Sequence, residues 1–277
     1  MLHILLSTYN GERYLSEQID SILAQTYTEW RLYARDDGSQ DGTKAILKAY
    51  AEAHPERIFL DESESKGLGA MRSFEYLLAH HGEADYFAFA DQDDVWDADK
   101  TAVCVEALVR EEALTPGKPV VVHSDLRVVD EQLDEIAPSF WRYSNIRPDM
   151  VDGNSRYLAI SNSVTGCAML FNRAAAVCSL PMSGEAYMHD AWVALMTVCH
   201  GGKVVPLHKT TIAYRQHRHN VLGAVAYHPW GRSLSQRWHE AQISYRRSRG
   251  WVYRNRVQFF VWKIIFFVHR LLLGGGK

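Results

Sequence analysis

Apolar runs alternate with segments of helical period along the first half of the chain. Runs rich in β-branched and aromatic residues are typical of buried strands, whereas apolar residues three or four apart indicate helices. The runs predict strands at 2–7, 30–36, 57–61, 85–90 and 119–124. The segments between them predict helices at 12–24, 42–53, 69–80 and 98–113. This alternation indicates an α/β fold with a mostly parallel central sheet and helices on both faces.

The second half of the chain has a more mixed pattern. It predicts a strand at 164–171, a short helix from Arg173, a helix over 189–199 and strands within 203–214. Pro229 and the glycines around it mark a boundary before the C-terminal tail. We therefore expect one large domain at 1–223, with halves at about 1–125 and 126–223, followed by a helical segment at 224–277.

Polar residues follow four of the predicted strands. The clusters are Ser7-Thr8-Tyr9-Asn10, Asp36-Asp37-Gly38-Ser39, Asp91-Gln92-Asp93-Asp94 and Ser124-Asp125. In open α/β sheets a ligand binds beyond the carboxyl ends of the strands. Since four strand ends carry polar groups, the sequence predicts a ligand site along this edge of the sheet.

Three carboxylates lie within four residues at 91–94. Like charges this close repel each other unless a cation or open water relieves them. Residues two apart on an extended segment point the same way, so Asp91 and Asp93 can share one ligand. We expect Mn²⁺ or Mg²⁺ there, because these cations bind carboxylates together with phosphate oxygens and water. The alternative is an acidic turn before the next helix, and capping of that helix is the role we expect for Asp94 or Asp97.

The turn after the second strand predicts part of a nucleoside pocket. Asp37 can accept hydrogen bonds from a base or a ribose, and Tyr9 can stack on a base. An ordinary turn and a packed strand-end tyrosine are the alternatives. Further along, Gly67-Leu68-Gly69 leads to Arg72, which stands where a dinucleotide-binding fingerprint needs its third glycine. Arg72 is then either a phosphate ligand or a surface arginine.

The predicted helix over 189–199 begins with candidate chemistry. Asp190 can cap the helix or act as a general base that takes a proton from a sugar hydroxyl. His189 lies beside it on the acceptor side. Trp192 and Trp96 can stack on sugar rings, although core packing is the commoner role of tryptophan.

The segment Tyr214-Arg215-Gln216-His217-Arg218-His219-Asn220 is dense in hydrogen-bond donors. Arg215 and Arg218 can bind a diphosphate, and His217 can supply a nitrogen ligand to the metal. A solvated basic loop is the alternative. The cluster ends a predicted strand in an otherwise acidic body, which favours a role at the site.

Charge divides the chain into an acidic body and a basic tail. Residues 231–277 carry ten Lys and Arg side chains and one acidic residue, Glu240, whereas the whole chain has a net charge of −3. The apolar stretch 259–268 is interrupted by Lys263, so it falls short of the ~20 residues that a membrane span needs. An interfacial helix on an anionic membrane surface is expected. A helix packed on the body or on a second subunit, as in a homodimer, is the alternative.

Cysteine usage and the first residues suggest a compartment. Cys104, Cys167, Cys178 and Cys199 form no CxxC pair, which favours buried thiols in a reducing environment. Met1 leads directly into a strand-like run rather than a signal peptide. We expect a cytoplasmic protein, peripheral on the cytosolic face of the membrane, and no nucleic acid partner.

Together these motifs resemble the inverting family-2 glycosyltransferases of GT-A fold. The resemblance rests on Ser7-Thr8-Tyr9-Asn10-Gly11-Glu12 with Tyr14-Leu15, on Gln18 with Ser21-Ile22-Leu23 and Gln25-Thr26, and on Arg35-Asp36-Asp37-Gly38-Ser39 with Asp41-Gly42-Thr43. Its rhamnosyltransferase-like branch is similar at Asp91-Gln92-Asp93-Asp94-Val95-Trp96, at His189-Asp190 with Trp192, and at Tyr214-Arg215-Gln216-His217 with Asn220. The similarity covers roughly residues 2–223.

The resemblance implies metal-dependent transfer of a sugar from a nucleotide diphosphate. In this family pattern Asp37 binds the base, Asp93 is the main metal ligand, Asp91 assists near the ribose or metal, and Asp190 is the catalytic base. The donor nucleotide site would comprise Thr8, Tyr9, Asn10, Glu12, Asp37, Arg72, Asp91 and Gln92. Asp125 and the segment 165–167 would line the sugar and acceptor side, together with Trp96, His189, Trp192, Arg215 and Arg218. The base motif departs from many relatives, which have Glu-Asp where this chain has His189-Asp190.

The branch favours dTDP-L-rhamnose as donor, with UDP-hexoses as the alternative. The acceptor would be a cell-surface polysaccharide or its lipid-linked precursor. The half at 1–125 would bind the nucleotide, and the half at 126–223 the acceptor. Two other classes stay open: a nucleotidyltransferase, which would release pyrophosphate, and a non-catalytic sugar-binding module.

Overall fold

A computed structural model describes residues 1–61, 67–218, 220, 223–226 and 234–273. Within these residues one sheet forms the centre of the molecule. Its strands are β1 (Leu2–Thr8), β2 (Trp30–Asp36), β3 (Ile58–Leu60), β4 (Tyr86–Ala90), β5 (Val95–Trp96), β6 (Val120–Val129), β7 (Glu135–Ala137), β8 (Met169–Asn172) and β9 (Lys203–Arg215). The five strands predicted in the first half are confirmed, whereas β5 and β7 were not predicted because they are two and three residues long.

The strand order is β3-β2-β1-β4-β8-β6-β9-β5, and β7 pairs with β6. Strands β3, β2, β1 and β4 are parallel, as the alternation of strands and helices predicts. Strand β8 is antiparallel to both of its neighbours, and β9 is parallel to β6. The carboxyl ends of β1, β2, β4, β6 and β9 therefore lie toward the same edge of the sheet.

Helices cover both faces of the sheet, as expected. They are α1 (Leu15–Leu23), α2 (Thr43–Ala53), α3 (Ala70–His80), α4 (Lys100–Leu114), α5 (Phe140–Tyr143), α6 (Pro148–Val151), α7 (Ser155–Ile160), α8 (Arg173–Ser179), α9 (His189–Cys199), α10 (Leu234–Ser248) and α11 (Arg256–Leu273). One buried core lies between the sheet and α1, α2 and α4, and the other lies under α3, α8, α9 and α11. We call these the first and second faces.

Side chains alternate along each strand, so a strand contributes to both cores. In β1, Ile4 faces the first core and Leu5 faces the second. In β4, Phe87 and Phe89 face the second core, and in β6 Val121 does so. Asp91 directly follows β4, and Asp125 lies in β6 where its pairing with β9 shifts in register.

Two predicted elements differ from the structure. The strand predicted at 164–171 begins only at Met169, because Gly166–Ala168 form a 3₁₀ turn directly before it. The helix predicted from residue 12 begins at Leu15, since Tyr14 and Leu15 both donate their amide hydrogens to the Gly11 carbonyl in a turn.

The tail is helical in its described part, as predicted. Helices α10 and α11 both contact α7, and Phe259 and Phe266 of α11 are buried in the second core. Residues 227–231 of the predicted boundary lie outside the described residues. None of the helices in the described ranges is both long and apolar enough to cross a membrane.

Candidate active site

The ends of β1 and β4 are joined by the side chain of Gln92. The Tyr9 amide donates to Gln92 Oε1 at 2.7 Å, and Gln92 Nε2 donates to the Tyr9 carbonyl at 2.9 Å. A Cβ at Gly11 would lie 2.4 Å from Gln92 Oε1, so only glycine fits there. Gln92, predicted in the nucleotide site, therefore fixes the shape of that edge, while the Tyr9 ring is 56% exposed and open to stacking.

Asn10 and Glu12 connect the loop after β1 to the loop after β2. The Asn10 amide donates to Ser39 Oγ at 2.8 Å, and Asn10 Oδ1 accepts from the Gln40 amide at 2.9 Å. Glu12 Oε2 accepts from the Gly42 amide at 2.9 Å. Asn10 has a φ of 48°, a left-handed conformation that asparagine tolerates better than most residues. Both predicted residues thus shape the pocket wall through backbone contacts.

Thr8 and Asp36 form a buried pair beneath this wall. Thr8 Oγ1 donates to Asp36 Oδ1 at 3.2 Å, and the Gly38 and Ser39 amides donate to Asp36 Oδ2 at 3.1 and 2.9 Å. The predicted nucleotide residue Thr8 is therefore bonded to protein, and Asp36 orders the turn that presents Asp37.

Asp37 lies at the centre of a dense hydrogen-bond set. Its carboxylate accepts from Arg35 Nη1 at 2.5 Å, from the Leu68 and Gly69 amides at 2.7 and 2.8 Å, and from Ser73 Oγ at 3.0 Å. Burial by itself would raise the pKa of Asp37, but these hydrogen bonds outweigh it and hold the pKa below its usual value. Asp37 is thus an ionised acceptor that positions the 67–69 loop.

Arg72 follows that loop and is held away from it. Its Nη1 pairs with Glu75 and donates to the Met182 carbonyl at 3.1 Å, while Glu75 Oε1 accepts from the Met182 amide at 2.7 Å. The guanidinium thus secures the segment before α9. It remains partly exposed, so the structure accommodates either of the two roles predicted for it.

Asp91 and Asp93 meet at the end of β4. Asp93 Oδ2 lies 2.8 Å from His217 Nε2, so two of the three predicted metal ligands are in contact. Burial, and then the charges of Asp93 and Asp190, raise the pKa of Asp91 to about 7. Asp91, Asp93 and Asp190 lie close together in a partly buried place, so their negative charges repel one another. A bound divalent cation would remove this repulsion.

A second grouping involves Asp94. One ligand atom each from Asp91, Asp94 and Cys167 lie within 4.8 Å of one another. A thiol is a soft ligand that Mg²⁺ and Mn²⁺ use poorly, whereas the carboxylates and imidazole of Asp91, Asp93 and His217 suit these cations chemically. Among the described residues these three side chains do not bring one ligand atom each within 4.8 Å of one another, as Asp91, Asp94 and Cys167 do. The sequence placed Cys167 on the sugar side only through the family pattern, and its proximity to the carboxylates follows from the 3₁₀ turn before β8.

The expected capping roles of Asp94 and Asp97 are wrong. Asp94 is fully buried, its Oδ1 accepts from the Arg215 amide at 3.1 Å, and burial followed by the charges of Asp93 and Asp91 raises its pKa. Asp97 pairs with both terminal nitrogens of Arg127 at 2.6 and 2.7 Å. Because both carboxylates bind residues distant in sequence, neither of them caps α4.

Arg215 supports Asp93 from behind. Its Nε donates to the Asp93 carbonyl at 2.9 Å, its Nη1 to the Glu131 carbonyl at 2.7 Å, and its Nη2 pairs with Glu17. The side chain is 2% exposed and lies over the Tyr14 ring at 4.5 Å. The predicted contact of Arg215 with a diphosphate is therefore not what the structure shows, because every guanidinium nitrogen already has a protein partner.

His217 and Arg218 occupy the turn after β9. The His217 ring packs on Tyr14 with 5.0 Å between centroids, and the His217 amide donates to Asn220 Oδ1 at 2.6 Å. Arg218 is exposed and has no carboxylate partner within the described ranges, so it stays available to a diphosphate. His219 of the predicted cluster lies outside the described residues. The sequence did not predict that Tyr14 and Glu17 contact Arg215 and His217. No local signal links these residues of the first helix region to β9, which is distant in sequence.

Asp190 is buried in the first turn of α9. Its Oδ1 accepts from the Ala191 amide at 2.5 Å, and its charge acts on Asp91. The positive end of the helix dipole favours an ionised carboxylate at this position. Asp190 therefore lies within electrostatic reach of Asp91 at the β4 end, and its role as the base stays a prediction.

His189, Trp192 and Trp96 are core residues. The His189 ring packs on Phe74 and Phe89 at 4.1 and 4.6 Å between centroids, and burial lowers its pKa to about 3. Trp192 is buried, and its indole nitrogen donates to the Ser179 carbonyl at 2.8 Å. Trp96 is buried beneath Lys100 Nζ, which lies 3.5 Å from its ring centroid. All three rings therefore pack in the core. The structure does not show the expected stacking of Trp192 and Trp96 on sugar rings, or the expected place of His189 on the acceptor side.

Asp125 borders a separate cavity of about 720 Å³. Its carboxylate accepts from the Leu126 and Trp141 amides at 2.8 and 3.0 Å and from Ser139 Oγ. Asp125 was predicted on the acceptor side, and the structure places it on the second face of the sheet. Its own hydrogen bonds make it part of the wall.

Comparison with known proteins decides the family. A family model described as glycosyl transferase family 2 matches residues 3–177. The chain belongs to glycosyltransferase family 2. It is 34% identical over 106 residues to the dTDP-rhamnosyl transferase RfbG of Shigella flexneri, covering 38% of this chain and 37% of that protein.

A second relative widens the comparison. It is the Escherichia coli UDP-Glc:alpha-D-GlcNAc-diphosphoundecaprenol beta-1,3-glucosyltransferase WfgD, which is 30% identical over 111 residues, or 40% of this chain and 42% of that protein. The matched part of this family-2 chain thus spans less than half the length of either relative.

Two solved structures confirm the GT-A fold. Residues 1–349 of S. aureus TarS in complex with UDP-GlcNAc give a TM-score of 0.62 at 15% identity, covering 96% of this chain and 71% of that one. A mannosyltransferase from Pyrobaculum calidifontis in complex with GDP-Man and Mn²⁺ gives 0.60 at 18% identity, covering 79% and 57%. At these identities the likeness concerns the fold alone.

Proposed function

We propose that this chain transfers a sugar, with inversion, from a nucleotide diphosphate to a hydroxyl of a polysaccharide or lipid-linked glycan. The observation that carries the proposal is the approach of Asp190 to Asp91 at the strand edge, where the charge of one carboxyl raises the pKa of the other. Tyr9 and Asp37 lie along the same edge at the ends of β1 and β2. Their common edge supports one site with a base, a diphosphate and a nucleoside.

Asp190 acts first in this mechanism. It accepts the proton of the acceptor hydroxyl while that oxygen forms a bond to the anomeric carbon. The bond from the anomeric carbon to the diphosphate oxygen breaks in the same displacement, through an oxocarbenium-like transition state. Arg218, exposed at the end of β9, donates to the departing diphosphate.

Asp91, Asp93 and His217 would hold the divalent cation. When bound, Mn²⁺ or Mg²⁺ neutralises charge on the leaving nucleotide diphosphate. The fit rests on the crowded carboxylates of the β4 end, whose mutual repulsion a cation relieves. Arg215 orients Asp93 through its carbonyl, and so keeps the ligand set in place.

The proposed donor is dTDP-L-rhamnose, which the likeness to a dTDP-rhamnosyl transferase supports. A UDP-hexose is the alternative, favoured by the UDP-sugars in the names of the second relative and of one structural neighbour. The shape of the sugar pocket decides between them.

Helix α11 supports a site of action at the cytosolic membrane surface. One side of it is exposed and apolar, and we call it the apolar face of α11: Val257, Val261, Ile264, Ile265, Val268, Leu271 and Leu272. Arg256, Lys263 and Arg270 repeat every seven residues on the side that also carries the buried Phe259 and Phe266, and the helix has no acidic residue. An exposed apolar face on a helix whose only charges are basic supports binding in the interface of an anionic membrane.

Product analysis tests the proposal. The full chain is incubated with dTDP-rhamnose or UDP-hexoses, Mn²⁺ or Mg²⁺, and a prenyl-diphosphate-linked GlcNAc acceptor. Release of nucleoside diphosphate with a new glycosidic bond of inverted anomeric configuration supports it. Release of pyrophosphate from a nucleoside triphosphate would instead indicate a nucleotidyltransferase, and retained configuration would exclude the displacement through Asp190.

A further inference from the structure

The cavity beside Asp125 lies close to the candidate active site. Strands β4 and β6 are separated only by β8, and Phe87 and Val121 both pair with Phe171 in register. Asp91 directly follows β4, and Asp125 lies four residues beyond Val121 in β6, where the pairing with β9 is irregular. Two strand spacings amount to about 10 Å, so Asp125 and its cavity border the same edge of the sheet as the candidate active site.

Two arginines of the cavity wall are available to an anion. Arg142 and Arg147 line the cavity, and neither has a carboxylate partner within the described residues. The other charged wall residues are already paired. His208 Nε2 lies 2.8 Å from Asp149 Oδ1, and Lys209 pairs with Asp99 outside the cavity.

Asp125 is held in the wall, because the Leu126 and Trp141 amides and Ser139 Oγ bind its carboxylate. Trp141 also lines the cavity and is 6% exposed. Its indole nitrogen is buried away from solvent, so the ring contributes packing to the wall rather than a donor to a ligand.

Besides Ser139 and Thr210, the remaining wall is apolar and continues into α11. Its apolar residues are Pro138, Ile146, Pro148, Met150 and Leu273. Leu273 is the last residue of α11, so the cavity opens where the apolar face of α11 ends. Arg270 Nη2 donates to the Asn145 carbonyl at 2.7 Å, which holds the helix against this wall.

We infer that this cavity binds the phosphate-bearing headgroup of a lipid-linked acceptor, with the lipid chain leaving along the apolar face of α11. The inference rests on the proposed function and names its acceptor class. Arginine pairs bind phosphate oxygens with directed, charge-assisted hydrogen bonds. A free phosphate would use the arginines but leave the apolar exit without a ligand, so the structure favours phosphate carried on a lipid.

Binding of farnesyl diphosphate to the full chain in detergent micelles tests the inference. The titrations contain EDTA, so that the metal-dependent donor site does not capture the diphosphate. The test variant is Arg142→Gln with Arg147→Gln, and the matched control is Arg31→Gln with Arg110→Gln, two arginines outside the cavity. We expect the test variant to bind at least about tenfold more weakly and the control to bind like the parent chain.

Competing probes identify the source of the phosphate. Farnesol and inorganic pyrophosphate should each bind much more weakly than farnesyl diphosphate. Equal binding of pyrophosphate would overturn the lipid part of the inference, and equal binding of farnesol would overturn the phosphate part. Unchanged farnesyl diphosphate affinity in the test variant would overturn the site itself.

Nucleotide binding separates this inference from the proposed function. Metal-dependent dTDP or UDP binding should be the same in the parent chain and in the Arg142/Arg147 variant, which also shows that the variant is folded. If the parent chain bound farnesyl diphosphate but transferred no sugar from any donor, this result would contradict the proposed function. It would still support the binding site for the lipid diphosphate.

Discussion

Asp93 Oδ2 and His217 Nε2 lie 2.8 Å apart, although 124 positions separate the two residues in sequence. The contact joins the end of β4 to the end of β9. We predict that His217→Ala weakens Mn²⁺-dependent nucleotide binding by roughly 10-fold or more, because removing a ligand or its orienting partner typically costs this much affinity. Calorimetric titration of dTDP and UDP with and without Mn²⁺ measures the effect.

The control for this substitution is His54→Ala, at the end of α2 and remote from the β4 end. It should leave both titrations unchanged. Equal Mn²⁺ dependence in His217→Ala and the parent chain would remove His217 from the ligand set, and the same result for Asp93→Ala would remove the metal site.

Asp190→Asn should lower the transfer rate by roughly 10²–10⁴-fold while nucleotide binding stays nearly intact, because general-base catalysis contributes that much. The amide keeps the shape of the side chain but cannot accept the hydroxyl proton. Single-turnover product formation and nucleotide titration together check this. Asp134→Asn, at an exposed position, is the charge-matched control, and near-normal turnover in Asp190→Asn would show that another group takes the proton.

Gly166→Ala should destabilise the fold. A Cβ at Gly166 would lie 2.6 Å from His189 Nε2, and the His189 ring cannot move away because Phe74 and Phe89 pack against it. We expect a loss of about 1–3 kcal/mol in the free energy of unfolding, the usual cost of an overpacked core. Urea denaturation measures it.

Gly153→Ala is the matched control, because a Cβ there meets nothing within 4 Å. The double variant Gly166→Ala with His189→Ala should lose less stability than the sum of the two single losses. Additive losses would mean that the two side chains do not collide.

Lys100 should make stability depend on pH. Its ammonium is fully buried, and burial lowers its pKa from 10.5 to about 8, against the charges of Cys104, Cys167 and Asp94. Between these two values the unfolded chain binds more protons than the folded chain, so the free energy of unfolding rises with pH. Below pH 8 both states are protonated and this contribution to the slope vanishes.

Lys100→Met should flatten the rise between pH 8 and 10.5, whereas Lys48→Met at an exposed position should leave it unchanged. The expected difference is about 3 kcal/mol across the window, since one pKa unit corresponds to about 1.4 kcal/mol. Urea titrations at several pH values measure it. A slope of the same size in Lys100→Met would assign the effect to another group.

The apolar face of α11 should bind anionic vesicles. Ile264→Glu with Leu272→Glu places two charges on that face and should abolish cosedimentation with phosphatidylglycerol vesicles. Val177→Glu, at a residue 67% exposed on α8, is the control and should cosediment like the parent chain. Equal binding of all three would contradict the membrane role. A parent chain that forms dimers but binds no vesicles would show that a second subunit covers the face.

Local sequence was sufficient to predict the order of elements and the edge of the sheet that carries chemistry. Strands such as 85–90 and helices such as 69–80 have local periodicities that match their burial, and the polar residues after parallel strands must meet at one edge. The position of Asp190 in the first turn of a helix also follows from short-range spacing.

Only the tertiary structure decides which of these side chains remain available to a ligand. Arg215 is saturated and Asp94 is buried by partners distant in sequence, and Trp192 faces the core. Arg142 and Arg147 line one cavity together with Leu273 of α11, which is far from them in sequence. The physical reason is that availability depends on hydrogen-bond partners and burial across the fold. Local sequence sets which groups a residue carries, whereas long-range packing decides whether those groups face a ligand or one another.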